Sequence, residues 1–465
     1  MLELLDLRER GGRLEPSRFE TDPAVTEAVR EILRRVFVEG DEVLVELAQK
    51  FDKADLSDSG IVVTEQEFAR AERETPDELK QALQELCQRL GDLCARQLPA
   101  EWWDDRDGVR FGEIVRPLEA VGCYVPGGRA VYPSSVCMTV VPARVAGVDE
   151  IVLCTPPQAD GSIPSPVLYA ARLAGATSVV KSGGAQAIAA MAYGTESVPS
   201  VNRIVGPGNA YVTEAKRQVS GDVGIDGLAG PSELAIVAEG DVDPRLAALD
   251  LIAQAEHDPE ARTFFITTDA SLAEKVDAAL EHELDSATRR EIVDQALSIT
   301  KLVVVRDLSQ AAEAVNDAAA EHLLLLLDEP DGFLPMVRNA GAVFLGRWSA
   351  VPYGDYGVAS NHVLPTAGTS RFASGLRASD YVTVSSVVEM SPEAARRFTR
   401  GTSTIARAEG LLGHARAMDA RADDAGEGRA FDTDDTDGDT DAGAGTGEAR
   451  RSMDARADDA GEGPP

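Results

Sequence analysis

Gln254 and His257 stand three residues apart in a stretch whose apolar spacing indicates the end of a helix. At that spacing two helical side chains share one face, so a carboxamide oxygen and an imidazole nitrogen would lie side by side. Such a pair could bind a metal ion or a polar substrate. The alternative is a capped, solvated helix end before Pro259, and the pair alone leaves both interpretations open.

The placement of the other histidines favours a site. The chain has only five, and four of them lie near groups that could act as acids, bases or ligands. These are His257 with Gln254, His322 with Glu321, His362 with Asp355, and His414 with Glu409. The fifth, His282, lies in a charged helix and is expected to be solvated. Each of the four could be an ordinary core or surface histidine, but together they predict one site assembled from distant segments.

Imidazole, carboxylate and carboxamide groups suit Zn²⁺, which accepts nitrogen and oxygen ligands and keeps positions open where it binds substrate. Glu321 and His322 are adjacent, so within a strand they would point to opposite faces. For both to act in one site, we expect them in a loop or at the edge of a strand. An imidazole beside a carboxylate can serve as a general base at neutral pH.

An α/β pattern would position these groups. Short apolar segments alternate with helical ones over residues 114–370, which predicts parallel sheets joined by crossover helices. The pattern divides into two Rossmann-like units, residues 114–233 and residues 234–370, and a cleft between them is the expected place for a site. A C-terminal helical element (371–418) and a tail (419–465) follow.

Residues 1–113 form a helical N-terminal segment in this interpretation. Its apolar spacing breaks at Gly40 and at Pro76, and Thr75 is predicted to cap the helix that follows it. The segment carries no cluster of chemical groups, so we interpret it as a packing and dimerisation element.

The first α/β unit contains loops rich in Gly and Pro, which are Tyr124–Gly128, Ser182–Gln186, Gly206–Tyr211 and Gly230–Ser232. Glycine lets a backbone approach a ligand closely, and a loop that leads into a helix N-terminus favours phosphate oxygens. None of the loops has the GxGxxG fingerprint in its proper frame. Nucleotide binding and ordinary turns therefore both remain open from the loops alone.

Acidic residues outnumber basic ones by 79 to 45, which gives a net charge of −34, and only seven of the basic residues are Lys. Phosphate binding needs a basic surface, so neither nucleic acid nor an anionic membrane is an expected partner. An acidic, lysine-poor surface of this halophilic type indicates a high-salt cytoplasm, where screening shortens the range of self-repulsion.

The cysteine pattern and the N-terminal sequence also favour a cytoplasmic location. The five Cys are odd in number and lack a CxxC spacing, which indicates buried or free thiols in a reducing compartment. The N-terminus lacks a signal-peptide pattern, and no uninterrupted apolar run reaches about 18 residues. We therefore expect a cytoplasmic protein without a membrane segment.

The composition shifts after residue 418 to Asp, Gly, Ala, Thr and Glu, and the segment 418–428 recurs at 453–463. A stretch with so few apolar residues cannot offset its ordering entropy, which predicts a disordered acidic tail.

Motifs throughout the chain resemble those of the histidinol dehydrogenase family, in matching order over about residues 1–418. They are Gly183–Ala190, Gly206–Asn209, Gly230–Glu233, Gln254–Asp258, Glu321–Leu323 and Asn361–Thr366. The resemblance implies oxidation of L-histidinol to L-histidine by two successive hydride transfers to NAD⁺, through a bound aldehyde.

The resemblance also implies a homodimer with shared active sites, and it implies roles for individual residues. The zinc ligands would be Gln254, His257 and Asp355, with His414 delivered from the partner subunit. NAD would contact Tyr124, Gln186 and Asn209, and Glu321 and His322 would be the catalytic acid/base residues. The substrate would contact the four zinc ligands together with Ser232, His322 and Glu409.

Three other functions compete with this interpretation. A relative in the same family could act on another small polar alcohol. A zinc hydrolase would explain Gln254, His257, Asp355 and Glu321, but it leaves the glycine loops without a role. A non-catalytic protein that stores metal would need neither Glu321 nor His322.

Overall fold

The computed structural model describes residues 2–9, 14, 21–127, 131–358 and 360–426. The chain forms two compact units. The first comprises residues 1–103 and 112–387, and the second comprises residues 104–111 and the chain from residue 388 onwards.

The described residues contain fourteen strands. In chain order they are β1 (Glu3–Asp6), β2 (Trp102–Arg106), β3 (Val109–Pro117), β4 (Ala120–Tyr124), β5 (Glu150–Thr155), β6 (Ser178–Lys181), β7 (Arg203–Val205), β8 (Gly224–Ile225), β9 (Glu233–Ala238), β10 (Arg262–Thr267), β11 (Lys301–Val304), β12 (His322–Leu326), β13 (Ala342–Leu345) and β14 (Val382–Met390).

The same residues contain sixteen α-helices and a few shorter helical turns. In chain order the helices are α1 (Pro23–Glu39), α2 (Asp41–Leu47), α3 (Glu65–Glu74), α4 (Asp77–Ala95), α5 (Pro133–Ala146), α6 (Ser165–Ala174), α7 (Gly184–Tyr193), α8 (Ala210–Val219), α9 (Pro244–Ala255), α10 (Ala270–Glu283), α11 (Arg290–Leu297), α12 (Leu308–Ala318), α13 (Pro330–Phe333), α14 (Val351–Asp355), α15 (Pro392–Ala408) and α16 (Leu412–Gly426).

Two parallel sheets confirm the predicted α/β class. The first has five strands in the order β6-β5-β4-β7-β8. The chain builds outward from β4 through β5 to β6 and then returns to place β7 on the other side of β4. Loops after β4 and β7 therefore leave in opposite directions, which opens a crevice at the carboxyl ends of these two strands.

The second sheet has six strands in the order β1-β11-β10-β9-β12-β13, and all neighbouring pairs are parallel. The strand order reverses here between β9 and β12, which register Leu234 against His322. The N-terminal strand β1 pairs with β11, with Glu3 opposite Lys301.

Helices cover both faces of the first sheet, so its strands are apolar on both sides. Val121 and Cys123 of β4 pack in one core with α4, α5 and α6, whereas Ala120 and Tyr124 pack in another with α1, α7 and α8. The second sheet alternates in the same way between two further cores. All five Cys are buried and free, as predicted.

The N-terminal helices break where the sequence predicts. Gly40 separates α1 from α2 with a φ of 62°, and Pro76 lies between α3 and α4. The predicted role of Thr75 is wrong, because its hydroxyl donates to the carbonyl of Ala71 at 2.8 Å. Thr75 thus closes the C-terminus of α3, and α4 begins without a side-chain cap.

The flanking segments are less helical than predicted. β1 belongs to the second sheet, and β2, β3 and β14 form a three-stranded sheet in the order β14-β3-β2. Most residues of β2 and β14 are exposed or half-buried, so these strands lack the buried alternation that identifies a strand in sequence. Among the described residues, no helix is both long and apolar enough to span a membrane.

The predicted tail boundary at residue 419 falls inside α16, which continues to Gly426. Asp419 is held against α15 because its carboxylate accepts hydrogen bonds from Ser403, at 2.7 Å, and from Arg407. The predicted disorder of residues 427–465 concerns a part of the chain outside the described residues.

Candidate active site

Three loops of the first sheet meet at its carboxyl edge. The hydroxyl of Tyr124, at the end of β4, accepts a hydrogen bond from the Gly184 N–H at 3.1 Å. Gly206, after β7, has a φ of 113°, and a Cβ there would lie 2.0 Å from the Tyr124 carbonyl oxygen. Only glycine allows this approach. Residues 128–130 of the first loop lie outside the described residues.

Helices α7 and α8 both begin at this edge, so the positive ends of their dipoles favour an anion here. Asn209 caps α8, and its Oδ1 accepts from the N–H groups of Tyr211 and Val212 at 3.0 and 3.2 Å. Its amide N–H₂ group remains to donate to a ligand.

The three residues predicted to contact NAD differ in exposure. Asn209 is exposed, whereas Tyr124 and Gln186 are each only 3% exposed. Burial raises the pKa of Tyr124 to about 12, so its hydroxyl stays protonated at neutral pH. Tyr124 and Gln186 therefore shape the loops, and a ligand could reach only an edge of each.

The predicted acid/base pair lies at the edge of a strand, as expected. His322 is the first residue of β12, and Glu321 immediately precedes it. Glu233, the first residue of β9, holds both: its N–H donates to Glu321 Oε2 at 3.1 Å, and its carbonyl accepts from His322 Nδ1 at 3.2 Å. The second sheet thus contributes these groups from the amino ends of its strands, not from the carboxyl ends.

Burial and mutual charge set the protonation of this pair. Desolvation raises the pKa of Glu321 to about 7. Desolvation alone would lower the pKa of His322, but the carboxylates of Glu321 and Asp355 outweigh it and raise that pKa. His322 Nδ1 lies 3.5 Å from Glu321 Oε2, so the charge of each side chain affects the titration of the other.

Asp355, the last residue of α14, faces His322, with its Oδ1 3.7 Å from His322 Nε2. Burial opposes ionisation of Asp355, but the contact with His322 and the charges of His362 and His257 hold its pKa below the ordinary value. His257 is solvent-accessible but lies in a recess, and desolvation there lowers its pKa although the Asp355 carboxylate opposes the shift. The charged carboxylate and the neutral imidazole are the forms that bind a cation.

Gln254 lies in the last turn of α9 and is buried. The helix ends at Ala255, so His257 is beyond it in a turn, where its N–H donates to the Gln254 carbonyl at 3.3 Å. The two residues are neighbours, but the prediction that both side chains project from one helical face is wrong.

The donor types of Gln254, His257 and Asp355 fit zinc, since they supply a carboxamide oxygen, an imidazole nitrogen and a carboxylate oxygen. Within the described part of the chain, no three His, Cys, Asp or Glu side chains are grouped closely enough to hold a metal. Gln254 is not one of these four residue types. A site made of Gln254, His257 and Asp355 contains only two of them, so it would not form such a group.

His362 has a role that the sequence left unassigned. Its Nδ1 donates to the Asp355 carbonyl at 2.8 Å, and its Nε2 accepts from the Ser135 hydroxyl at 3.1 Å. Both ring nitrogens are used, so His362 positions the Asp355 segment. The only signal in the sequence is its proximity to Asp355. His282 is solvated, as expected, with its side chain 87% exposed.

A cavity of about 330 Å³ joins the two α/β units next to this pair. Glu321 lines it from the second α/β unit, whereas Pro207, Lys216, Asp226 and Ser232 line it from the first. The cavity is therefore lined by one predicted substrate contact, Ser232, and by one predicted base, Glu321.

Glu409 and His414 are exposed residues of the second compact unit. Glu409 follows the end of α15, Gly410 turns the chain with a φ of 76°, and His414 lies in the first turn of α16. Glu409 therefore lies at the end of one helix and His414 at the start of the next.

Comparisons with known proteins agree along nearly the whole described chain. A family model described as histidinol dehydrogenase matches residues 16–422. The histidinol dehydrogenase of Gluconobacter oxydans (strain 621H) is 45% identical over 407 residues, which are 87% of this chain and 94% of that protein. That of Natronomonas pharaonis is 42% identical over 410 residues, covering 87% and 96%. The crystal structure of histidinol dehydrogenase from Elizabethkingia anophelis matches with a TM-score of 0.87 at 32% identity, covering 91% and 98%. The chain belongs to the histidinol dehydrogenase family.

Proposed function

We propose that this protein oxidises L-histidinol to L-histidine with two molecules of NAD⁺, as the last step of histidine biosynthesis. Family membership over residues 16–422 is the observation that carries the proposal, and it makes the protein an oxidoreductase of that pathway. The buried Glu321–His322 pair beside the cavity supports it, because two oxidations with a hydration between them need two proton acceptors.

Gln254, His257 and Asp355 would hold zinc, with His414 supplied by the partner subunit. When bound, zinc supplies an anchor that fixes the amine and imidazole nitrogens of the substrate and so orients its carbinol carbon. Tyr124, Gln186 and Asn209 would hold NAD, whose nicotinamide accepts the hydride. Ser232 and Glu409 would contact the substrate.

His322 would take the proton of the substrate hydroxyl on Nε2 as the first hydride leaves, because its Nδ1 proton is held by the Glu233 carbonyl. The resulting aldehyde must gain water before it can lose a second hydride. Glu321 would accept a proton of that water as its oxygen adds to the aldehyde carbon, which gives the hydrate anion. Loss of the second hydride from this anion gives the carboxylic acid, which releases a proton to leave the carboxylate. One water is thus consumed and two NADH are formed.

A homodimer would complete the site. Large side chains that are exposed in the described chain support such an interface, since Trp348 is 80% exposed and Phe372 is 83% exposed. We also propose a cytoplasmic location with concentrated salt, which agrees with the charge of −34.

One assay tests the proposal. The purified protein is incubated with Zn²⁺, NAD⁺ and L-histidinol, and NADH is counted against substrate consumed. We expect two NADH per L-histidinol. Turnover of another alcohol only, or hydrolysis without NADH, would instead select one of the competing functions.

A further inference from the structure

A buried ion pair between Lys216 and Asp226 forms hydrogen bonds with Gly206, the first residue of the loop Gly206–Asn209. We propose that Lys216 and Asp226 are positioning residues for NAD binding, acting through this loop and not by touching the cofactor. The inference rests on the proposed function in one respect, namely that NAD binds at the loop that contains Asn209.

Lys216 and Asp226 form hydrogen bonds with both backbone polar groups of Gly206. The N–H of Gly206 donates to Asp226 Oδ2 at 2.7 Å, and the carbonyl of Gly206 accepts from Lys216 Nζ at 3.0 Å. The ammonium of Lys216 also contacts Asp226 Oδ1 directly. Gly206 thus cannot rotate its peptide groups without breaking a charge-assisted hydrogen bond.

Gly206 is the residue of the loop whose backbone conformation these hydrogen bonds affect most. Its φ of 113° lies in a region that glycine adopts readily. Its Cα lies so close to β4 that an added Cβ would be 2.0 Å from the Tyr124 carbonyl oxygen. A glycine in this region loses more backbone freedom on folding than any other residue. Fixing it from both sides fixes the path of the chain toward Asn209.

The pair also joins three elements at one point. Gly206 follows β7, Lys216 lies in α8, and Asp226 follows β8. Lys216 is seven residues after Asn209, so it lies on the same side of the helix as the cap, two turns on. The end of β7 and the start of α8 flank the crevice where the strand order of the first sheet reverses.

Lys216 and Asp226 line the same cavity as Ser232 and Glu321, but both side chains are so buried that their polar atoms are used within the protein. The side chain of Lys216 is 2% exposed and that of Asp226 is 8% exposed. Removing two charges from water is costly, and an apolar pair would fold as well or better. Here the cost is offset by hydrogen bonds from Gly206 and, at 2.7 Å, from the Gly227 N–H to Asp226 Oδ1. The gain is one fixed geometry for the loop.

The test compares Lys216→Met with a matched control, Arg217→Met, in the zinc-loaded full chain. Lys216→Met keeps the apolar stem but removes the donor to Gly206. Arg217 is the next residue on α8, and its guanidinium donates to the fully buried carboxylate of Glu214. Each variant is measured for the Kd of NAD⁺ by calorimetry, the KM values of NAD⁺ and L-histidinol, zinc content and Tm.

We expect Lys216→Met to raise the Kd and KM of NAD⁺ by about 10- to 100-fold, with the KM of L-histidinol within about twofold and zinc content unchanged. Arg217→Met should keep the Kd of NAD⁺ within about twofold even where its Tm falls. Asp226→Asn provides a second variant should Lys216→Met not fold, because the amide keeps an acceptor for the Gly206 N–H but loses the charge. It should weaken NAD⁺ binding in the same direction.

A folded Lys216→Met or Asp226→Asn protein with a lower Tm and an unchanged Kd for NAD⁺ would overturn the inference. If the wild type binds NAD⁺ but does not oxidise L-histidinol, the proposed substrate is wrong, while the Kd values still decide the inference. If the wild type does not bind NAD⁺ at all, both proposals are overturned.

Discussion

His322 Nε2 and Asp355 Oδ1 face each other across 3.7 Å, which places the predicted base next to a predicted zinc ligand. His322 is fixed from the other side by the Glu233 carbonyl, so its ring presents Nε2 toward Asp355. The same carboxylate would therefore bind the metal and lie beside the base. A substitution at either residue can affect proton transfer, metal binding or both, and the two effects can be separated by experiment.

His322→Asn and Glu321→Gln should lower kcat by about 10² to 10⁴ while zinc stays bound, because each variant removes a proton acceptor but no proposed ligand. The measurement is kcat together with zinc per subunit from elemental analysis. Asp355→Asn is the matched control and should lose zinc. Loss of zinc from His322→Asn or Glu321→Gln would show that a ligand has been mistaken for a base.

Mixing His414→Ala chains with Asp355→Ala chains should restore activity to a level absent from either parent. If His414 serves the partner's site, each heterodimer keeps one site that carries neither substitution. The mixture is refolded together, and heterodimers are isolated by two different tags before the assay. Inactive heterodimers would place His414 in the site of its own chain.

Ending the chain after Gly426 should leave Tm and kcat unchanged, since the last described helix is then complete. Ending it after Ala417 should lower Tm, because Ser403 and Arg407 lose the carboxylate of Asp419. Asp419→Ala in the full chain separates this contact from the loss of length and should reproduce part of the decrease. Equal Tm values for the two truncations would mean that the second half of α16 adds nothing to stability.

Asp52→Asn should stabilise the protein at about pH 8 and much less at about pH 5. Desolvation raises the pKa of Asp52 to about 6, and its Oδ2 is buried without a hydrogen-bond partner in the described structure. When the pH is below the unfolded pKa of about 3.9, a carboxyl whose pKa is raised on folding does not reduce the free energy of unfolding. That free energy falls as the pH rises through the folded-state pKa of about 6. Unfolding in urea at both pH values gives the difference.

Asp55→Asn serves as a control of opposite sign. The Ser57 N–H donates to Asp55 at 3.0 Å, and this bond lowers the pKa of Asp55. The stabilisation by the Asp55 carboxylate is therefore present when the pH is above the unfolded pKa, and it is lost in acid. Asp55→Asn should thus be less stable than the wild type at about pH 8. The same sign for both variants would contradict the assignment of Asp52 as a desolvated carboxylate.

Molar KCl should raise Tm and activity relative to dilute buffer, because screening reduces repulsion within a chain of net charge −34. Thermal unfolding across a KCl series measures the effect. Sucrose at matched water activity is the control, since it stabilises without screening charge. Full stability and activity in dilute buffer would remove the argument for a high-salt environment.

The predicted and observed structures agree where burial is visible in the residue pattern. β4 and β9 are buried along their whole length, and their apolar runs identified both parallel sheets. The edge position of Glu321 and His322 also followed from local geometry, since adjacent strand residues cannot share one face.

What the sequence could not show depends on contacts between distant segments. Nothing local indicates that the Asp355 carboxylate reaches His322 or that His362 holds the Asp355 backbone; the pairing comes from the fold. The exposed strand β14 has no buried face to produce an apolar period. The end of α16 was misplaced because Asp419 is polar in sequence but anchored in structure.

The pairing of β1 with β11 has a consequence for synthesis on the ribosome. Glu3 and Lys301 are 298 positions apart, yet they meet as neighbouring strands. At about 5–20 residues per second, β1 leaves the ribosome roughly 15 to 60 s before its partner has been translated. Throughout that interval its unpaired backbone is open to other strands, including those of chains growing on the same messenger, and β11 is an unprotected sheet edge until β1 docks.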